Sequence, residues 1–112
     1  EDRFKNNLPI KGYEVDDASR KVIENSGYGE YFIHRTGHSI TTSLHGSGPH
    51  MDNFETRDER LLLPSTSFSI EPGIYISGDF GVRSEIDVFI HSDGRVEQTG
   101  GARQTSLIAI LA

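Results

Sequence analysis

Residues 67–99, SFSIEPGIYISGDFGVRSEIDVFIHSDGRVEQT, contain the pattern that decides the fold. Within Glu85–His91, β-branched residues occupy every second position, which is the period of a strand with one buried face. Asp93-Gly94 is a typical hairpin turn signal, and it joins that strand to Arg95–Thr99. The stretch therefore predicts an antiparallel sheet with short connections.

Aromatic and β-branched runs elsewhere predict further strands. These runs are Tyr31–Ile33, Ile40–Leu44, Ser67–Glu71, Ile74–Ile76 and Leu107–Leu111, of which the last is also compatible with a short helix. Turn and loop residues separate them at Pro72-Gly73, at Ser77-Gly78-Asp79 and over the long loop 46–60, which is rich in glycine, proline and charge.

A single helix is predicted over Tyr13–Ser26, and Gly27 can close it in the left-handed conformation. The apolar residues that recur there at helical spacing are Val15, Ala18, Val22 and Ile23. Residues 1–12 are polar and predict a lead-in loop. One main helix against a curved antiparallel sheet indicates an α+β fold, and 112 residues are sized for a single domain.

Composition excludes several classes of function. Seventeen acidic residues against eleven basic ones leave a formal charge of −6, so a nucleic-acid partner is not expected. No apolar run approaches the roughly 18 residues of a membrane span, and cytoplasm is the default location. The absence of cysteine excludes disulfides and thiolate zinc sites. An apolar fraction of only 34% predicts a thin core, and the start at EDRFKNN, without an initiator methionine, suggests a piece cut from a longer chain.

Three histidines, His34, His38 and His45, lie close together in a polar segment. His38 on a strand would supply one nitrogen donor to a divalent ion, which would need carboxylates beside it. Glu71 and Glu85 are the candidates, because each lies at the end of an apolar strand, where a carboxylate is costly unless a positive group meets it.

From the residues alone, structural interpretations stay open. His38 could be a hydrogen-bonded core residue, Glu71 could pair with a lysine or arginine, and Glu85 could form a salt bridge with Arg83. The remaining charged candidates are assigned to solvated faces, helix-terminal charges or the surface: Asp16, Asp17, Asp52, Glu55, Asp58, Glu59, His50 and His91.

Four ordered motifs resemble the C-terminal half of the M24 metallopeptidases, the pita-bread enzymes that include Xaa-Pro aminopeptidases, prolidases and methionine aminopeptidases. The motifs are HRTGH, LHG, SIEPGIYI and GVRSEIDVFI, at residues 34–38, 44–46, 69–76 and 81–90. Residues 12–38 are most similar to the aminopeptidase P and Xaa-Pro dipeptidase branch. The resemblance covers about Gly12 to Thr99 and implies the C-terminal portion of a pita-bread catalytic domain, with its N-terminal half absent from residues 1–112.

The resemblance implies a metal centre. His38, Glu71 and Glu85 match metal ligands, and Glu85 matches the glutamate that bridges two ions. Two divalent ions about 3.5 Å apart are expected, with Mn²⁺ as the first choice and Co²⁺ or Zn²⁺ as alternatives. Glu71 would also accept a proton from the attacking water.

The same resemblance assigns three further residues to catalysis or substrate binding. His45 matches a histidine that stabilises the tetrahedral intermediate or hydrogen-bonds the substrate, and His34 matches one that lines the substrate pocket. Arg83 matches an arginine that supports the site electrostatically. The implied reaction is metal-dependent hydrolysis of the bond between an N-terminal residue and the proline after it.

This chain departs from the family pattern in three places. Ser39-Ile40-Thr41 stand where many members have a glycine-rich segment after the histidine, and Ile86 stands where aspartate is commonest. Nothing before His34 resembles the motif that supplies two aspartate ligands. We therefore expect the chain alone to be inactive or nearly so, and its missing N-terminal half to be its partner.

Two other functions stay open. A catalytically dead pita-bread module would bind a peptide or protein in the same groove, and a creatinase-like amidinohydrolase would use the fold and histidines without metal. The expected substrate remains a peptide with proline at its second position. Homodimers are common in the family, although no feature of this chain demands one.

Overall fold

The computed structural model describes residues 1–111, in which helices precede strands. The helices are α1 (Asp2–Lys5) and α2 (Gly12–Asn25), followed by a 3₁₀ turn at Gly29–Tyr31. The strands are β1 (Ser39–Ile40), β2 (Ser67–Ile70), β3 (Gly73–Ile76), β4 (Phe80–Arg83), β5 (Ile86–Ile90) and β6 (Val96–Thr99). This order confirms the predicted α+β class. Neither α1 nor α2 is long and apolar enough to cross a membrane.

The main sheet has the strand order β1-β2-β5-β6, and every neighbouring pair is antiparallel. β3 and β4 form a separate two-stranded hairpin. The predicted turn at Asp93-Gly94 is confirmed, since the His91 N–H donates to the Arg95 carbonyl at 2.8 Å and Gly94 has a φ of +85°. The C-terminal part of the chain therefore folds largely through local pairing.

The hydrophobic core lies on one face of the main sheet. In the central register, Phe68 of β2 stands opposite Val88 of β5, and both are buried. The buried members of the core are Ile10, Met51, Leu62, Phe68, Val88 and Ile90. Because segments from before, within and after the long loop meet here, this core fixes the position of β2, the strand that leads into Glu71.

Helix α2 begins and ends within one residue of its predicted bounds, and Gly27 follows it with a φ of +85°. Its inner face differs from the prediction. Ala18 and Val22 are exposed, whereas Asp16 is fully buried. The helix is attached through polar contacts as well as through Val15, which packs against the core.

Two predicted strands near the histidines are wrong or too long. Tyr31–Ile33 is not a strand, because the 3₁₀ turn ends there and the Phe32 carbonyl accepts from Arg20 instead of a neighbouring strand. The strand predicted over Ile40–Leu44 is only Ser39–Ile40. The Thr41 hydroxyl accepts from the Ser43 N–H, and such local bonds by threonine compete with a ladder.

The remaining differences lie at exposed positions. The predicted lead-in loop 1–12 contains the short helix α1, and β4 was not predicted because all four of its residues are exposed. The strand favoured for Leu107–Leu111 is also wrong. Its large apolar side chains are 81–98% exposed, so the run lacks the burial that its composition suggests.

Candidate metal site

Residues 36–40 run antiparallel along β2, and this pairing brings a histidine beside a glutamate. The Glu71 N–H donates to the Thr36 carbonyl at 2.6 Å, and the Ser69 N–H donates to the His38 carbonyl at 2.9 Å. These bonds continue the β1–β2 ladder past the end of the strand. His38 and Glu71 therefore meet because the backbone holds their two segments in one register.

Gly37 is required for this close approach. A Cβ atom at Gly37 would lie 1.9 Å from the Ser69 carbonyl oxygen, a distance that no side chain could occupy. The glycine of the HRTGH motif is thus explained by the packing of its backbone against β2, not by flexibility.

The side chains of His38 and Glu71 face each other in a largely buried position. His38 Nε2 and Glu71 Oε2 are 3.4 Å apart, and the two side chains are only 7% and 19% exposed. The separation is longer than an ordinary N–H···O hydrogen bond. Glu71 therefore lies beside His38, and not beside a lysine or arginine as the alternative interpretation of the sequence expected.

The other ring nitrogen of His38 decides what the pair can bind. His38 Nδ1 lies 3.0 Å from the Ser39 carbonyl, which can only accept, so Nδ1 carries the proton. In the neutral ring, Nε2 then points an unshared pair towards the carboxylate. Two ligand atoms about 2.1 Å from one ion at a tetrahedral angle are about 3.4 Å apart. The pair thus fits two ligands of a single cation.

His45 contacts this pair, whereas His34 contacts Tyr75. The exposed ring of His45 packs edge-on against His38, with 4.3 Å between the ring centroids. His34 Nδ1 donates to the Arg35 carbonyl at 2.7 Å, and Nε2 accepts from the Tyr75 hydroxyl at 2.8 Å. Tyr75 was not among the sequence candidates, although it lies in the SIEPGIYI motif.

Arg83 ends β4, and Glu85 lies directly before β5. Both are exposed, and both line an open groove of about 630 Å³ together with Ile70 and Pro72. No ion pair joins Arg83 to Glu85 in the part of the chain that the structure describes. Among residues 1–111, no group of three or more His, Asp and Glu side chains converges to hold a metal ion. The structure thus brings two of the three predicted ligands together.

A buried ion pair on α2 holds the histidine segment. Arg20 donates to both carboxylate oxygens of Asp16, and it also donates to the carbonyls of Phe32 and His34 at 2.9 and 2.8 Å. Asp16 accepts the Thr36 N–H at 2.8 Å. Assigning Asp16 to a solvated face was therefore wrong. The spacing of four residues between Asp16 and Arg20 is the signal that could have revealed the pair.

A second polar network, which the sequence did not reveal, supports the other side of His38. The Ser39 N–H donates to His50 Nδ1 at 3.0 Å, and the His50 N–H donates to Asp58 at 2.8 Å. Arg60 binds both carboxylate oxygens of Asp58. Asp58 is 7% exposed, so its assignment to a solvated face was wrong, whereas His50, assigned to the surface, is partly buried. Asp52, 3% exposed, is a further buried exception, whereas Asp17, Glu55 and Glu59 are exposed as predicted.

Burial and the hydrogen bonds and charges of this network shift the pKa values of Asp58 and His50. Burial alone would raise the pKa of Asp58, but hydrogen bonds from Arg60 and from the His50 N–H outweigh it and lower that pKa to about 2. Burial, followed by the charges of Arg35 and Arg60, lowers the pKa of His50 below its ordinary value of 6.5. The lowered pKa favours the neutral ring, which can accept a hydrogen bond at Nδ1.

Comparison with known proteins places the chain beside one group of peptidases. Residues 8–92 match metallopeptidase family M24. The chain is 42% identical over 87 residues to the probable dipeptidase PepE of Mycobacterium tuberculosis, covering 78% of this chain and 22% of that protein. It is 37% identical over 97 residues to the Xaa-Pro dipeptidase of Lactobacillus delbrueckii subsp. lactis, covering 87% of this chain and 25% of that protein.

Solved structures show the same relationship. A dipeptidase from Pyrococcus horikoshii OT3 superposes with a TM-score of 0.74 at 39% identity, over 86% of this chain and 26% of that one. The Xaa-Pro dipeptidase from Bacillus anthracis has a TM-score of 0.74 at 38% identity, with coverage of 86% and 26%. These likenesses confirm the predicted pita-bread fold class. The chain spans about a quarter of the length of the relatives it matches.

Proposed function

The chain belongs to metallopeptidase family M24, and we propose that it forms the C-terminal part of a catalytic domain that cleaves Xaa-Pro peptide bonds with the help of divalent metal. The closeness of His38 Nε2 to Glu71 Oε2, at 3.4 Å in a largely buried position, carries the proposal. The names of its relatives, several of them Xaa-Pro dipeptidases, support proline as the residue after the scissile bond.

In this proposal each residue has a separate task. His38, Glu71 and Glu85 hold the metal, for which Mn²⁺ is the first choice, and Glu71 also accepts the proton of the attacking water. Bound divalent ions supply polarisation of the scissile carbonyl and a more acidic water. His45 hydrogen-bonds the reacting carbonyl group from the open side of His38. His34, with its ring fixed by Tyr75, lines the pocket for the substrate, and Arg83 contributes positive charge.

The 112-residue chain by itself is proposed to bind metal weakly and to lack turnover. His38 and Glu71 are two donors, whereas a catalytic zinc site typically uses three protein ligands. The further ligands, including two aspartates, belong to an N-terminal half that completes the domain. That half is the proposed partner, and the complete enzyme is proposed to act in the cytoplasm.

A Mn²⁺ titration of the chain tests the metal role. Mn²⁺ is paramagnetic, so a bound ion broadens NMR signals of nearby nuclei even when binding is weak. Signals of the His38 ring and the Glu71 side chain are expected to broaden first, and His38→Ala is expected to abolish the effect at Glu71. His91→Ala is the matched control, because His91 also faces a glutamate, Glu97, but on an exposed hairpin.

Broadening that stays the same in His38→Ala, or that is strongest at Glu97, would contradict the metal role. The activity is tested separately by assaying Xaa-Pro dipeptides with the chain alone and with an M24 N-terminal half added. Full turnover by the chain alone would contradict the proposed division of ligands.

The second candidate is a pita-bread module that binds peptide without catalysis. It is favoured by one observation, that within residues 1–111 Glu85 does not join His38 and Glu71. In that case a Pro-containing peptide would perturb the signals of His34 and Tyr75 while Mn²⁺ left those of His38 unchanged. Turnover of creatine instead of peptides would identify the amidinohydrolase alternative.

A further inference from the structure

Ser39 lies on β1, which is an edge strand of the main sheet. The backbone N–H and carbonyl of His38 are hydrogen-bonded to Ser69 of β2. The backbone groups of Ser39 point away from β2 and bind partners outside the sheet. Its N–H donates to His50 Nδ1 at 3.0 Å. Its carbonyl accepts from the Gly46 N–H at 2.8 Å and from His38 Nδ1 at 3.0 Å. One residue thus connects the imidazole of His50 to the imidazole of His38.

The backbone of His50 is held on both sides. Its N–H donates to the Asp58 carboxylate. Arg60 donates to both oxygens of that carboxylate, at 3.0 and 2.6 Å, and also to the Ser47 carbonyl at 2.9 Å. The His50 carbonyl lies against the start of α2, where a Cβ on Gly12 would come within 2.0 Å of it. The backbone from which the His50 ring extends is therefore held by a buried carboxylate and by the start of a helix.

We propose that His50 is a positioning residue for the His38 imidazole, an inference that rests on the proposed metal role of His38. By accepting the Ser39 N–H, His50 fixes Ser39 so that its carbonyl keeps the proton of His38 on Nδ1. Nε2 of His38 is then left free to face Glu71 and the metal. Groups that hydrogen-bond a metal-binding histidine directly typically change metal affinity by about 10- to 100-fold when they are removed. His50 acts one step further out, through Ser39, so an effect at the lower end of this range is expected.

Two amide substitutions separate this role from simple space filling. His50→Asn places an oxygen acceptor near the position of Nδ1, whereas His50→Gln places its amide near the position of Nε2 and leaves the Ser39 N–H without that acceptor. The tautomer of His38 is read from NMR of the histidine rings in the metal-free chain. Mn²⁺ affinity is read from the concentration at which the His38 and Glu71 signals broaden.

We expect His50→Asn to keep the His38 proton on Nδ1 and to keep the wild-type Mn²⁺ affinity. We expect His50→Gln to give a mixture of tautomers and about tenfold weaker binding. The proposal would be overturned if the His50→Gln chain kept the His38 proton on Nδ1. It would also be overturned if the His50→Asn chain folded but no longer kept that proton on Nδ1. His91→Gln is the control and should change neither reading.

A measurement without substitution covers the case in which His50→Gln does not fold. A scalar coupling across the hydrogen bond from the Ser39 amide nitrogen to His50 Nδ1 is expected in the wild-type chain, and its absence would overturn the proposal. Failure of the proposed function looks different. If Mn²⁺ does not bind at all while the His38 tautomer still follows the acceptor at position 50, the metal role fails and the positioning role stands.

Discussion

His91 and Glu97 face each other across the β5–β6 hairpin, whereas His38 and Glu71 meet between segments that are far apart in the chain. The hairpin pair has 2.6 Å between Nε2 and Oε2, with side chains 29% and 46% exposed. The other pair is separated by 3.4 Å, with side chains 7% and 19% exposed. The shorter contact is a hydrogen bond in contact with solvent, and such pairs contribute little to stability. The longer one has the spacing of two ligands of a single cation.

If His38 and Glu71 bind metal as proposed, a short distance alone does not mark a functional pair. The His38 ring is oriented by Ser39 and indirectly by His50, and its segment is held by Asp16 and Arg20. The cross-strand pair of His91 and Glu97 depends mainly on the local register of a hairpin. Substitutions in the supporting residues should therefore affect the two regions very differently.

The largest expected effect comes from breaking the ion pair on α2. Asp16→Ala leaves Arg20 without its carboxylate and the Thr36 N–H without its acceptor, which should lower the free energy of unfolding by about 3–5 kcal/mol. Urea denaturation followed by circular dichroism measures the loss. The neighbouring variant Asp17→Ala, at an exposed position, should cost less than about 1 kcal/mol. Equal losses in both variants would show that the Asp16–Arg20 ion pair does not stabilise the histidine segment.

The second-largest effect is expected from acid, which should weaken the hydrogen bonds among Asp58, Arg60 and His50. The pKa of Asp58 is lowered from 3.8 to about 2, so the unfolded chain takes up a proton first as the pH falls. The stability from this group is present above the unfolded value of 3.8 and is lost as the pH falls towards about 2. That loss amounts to about 2 kcal/mol. Asp58→Asn should be less stable at neutral pH and should lack this part of the acid loss in urea titrations.

His50 should add a smaller loss at milder acidity. Its pKa is lowered below 6.5, so the unfolded chain binds this proton more readily than the folded one. Stability from this group is therefore full above 6.5 and declines as the pH falls below that value. His50→Asn keeps an acceptor but cannot titrate, so its free energy of unfolding should vary less in this interval. An unchanged pH dependence in His50→Asn would contradict the shift.

The smallest effect is expected at the hairpin. Glu97→Gln removes the charge that faces His91 but leaves the β5–β6 register intact, so the free energy of unfolding should fall by no more than about 1 kcal/mol. Its Mn²⁺ broadening at His38 should match that of the wild-type chain. A loss as large as that of Asp16→Ala would mean that the local pair contributes far more than exposed pairs usually do.

Local patterns predicted the elements whose partners are close in sequence. The turn at Asp93-Gly94, the alternation in β5 and the bounds of α2 depend on backbone preferences and on side-chain period, which a short window contains. The strand predicted over Tyr31–Ile33 is wrong because Arg20, on another element, takes a carbonyl that a ladder would need. The strand predicted over Leu107–Leu111 is wrong because an apolar run does not by itself determine which strand it would pair with.

The sequence by itself determined the residue types available to a metal, the order of the motifs and the antiparallel character of the sheet. The tertiary structure decided that His38 and Glu71 converge without a third ligand among the described residues, and that Asp16 and Asp58 are buried instead of lying on solvated faces. The physical reason is that burial and hydrogen bonding of a charged side chain depend on groups brought together only when the chain folds. The spacing of residues in sequence cannot specify those distances.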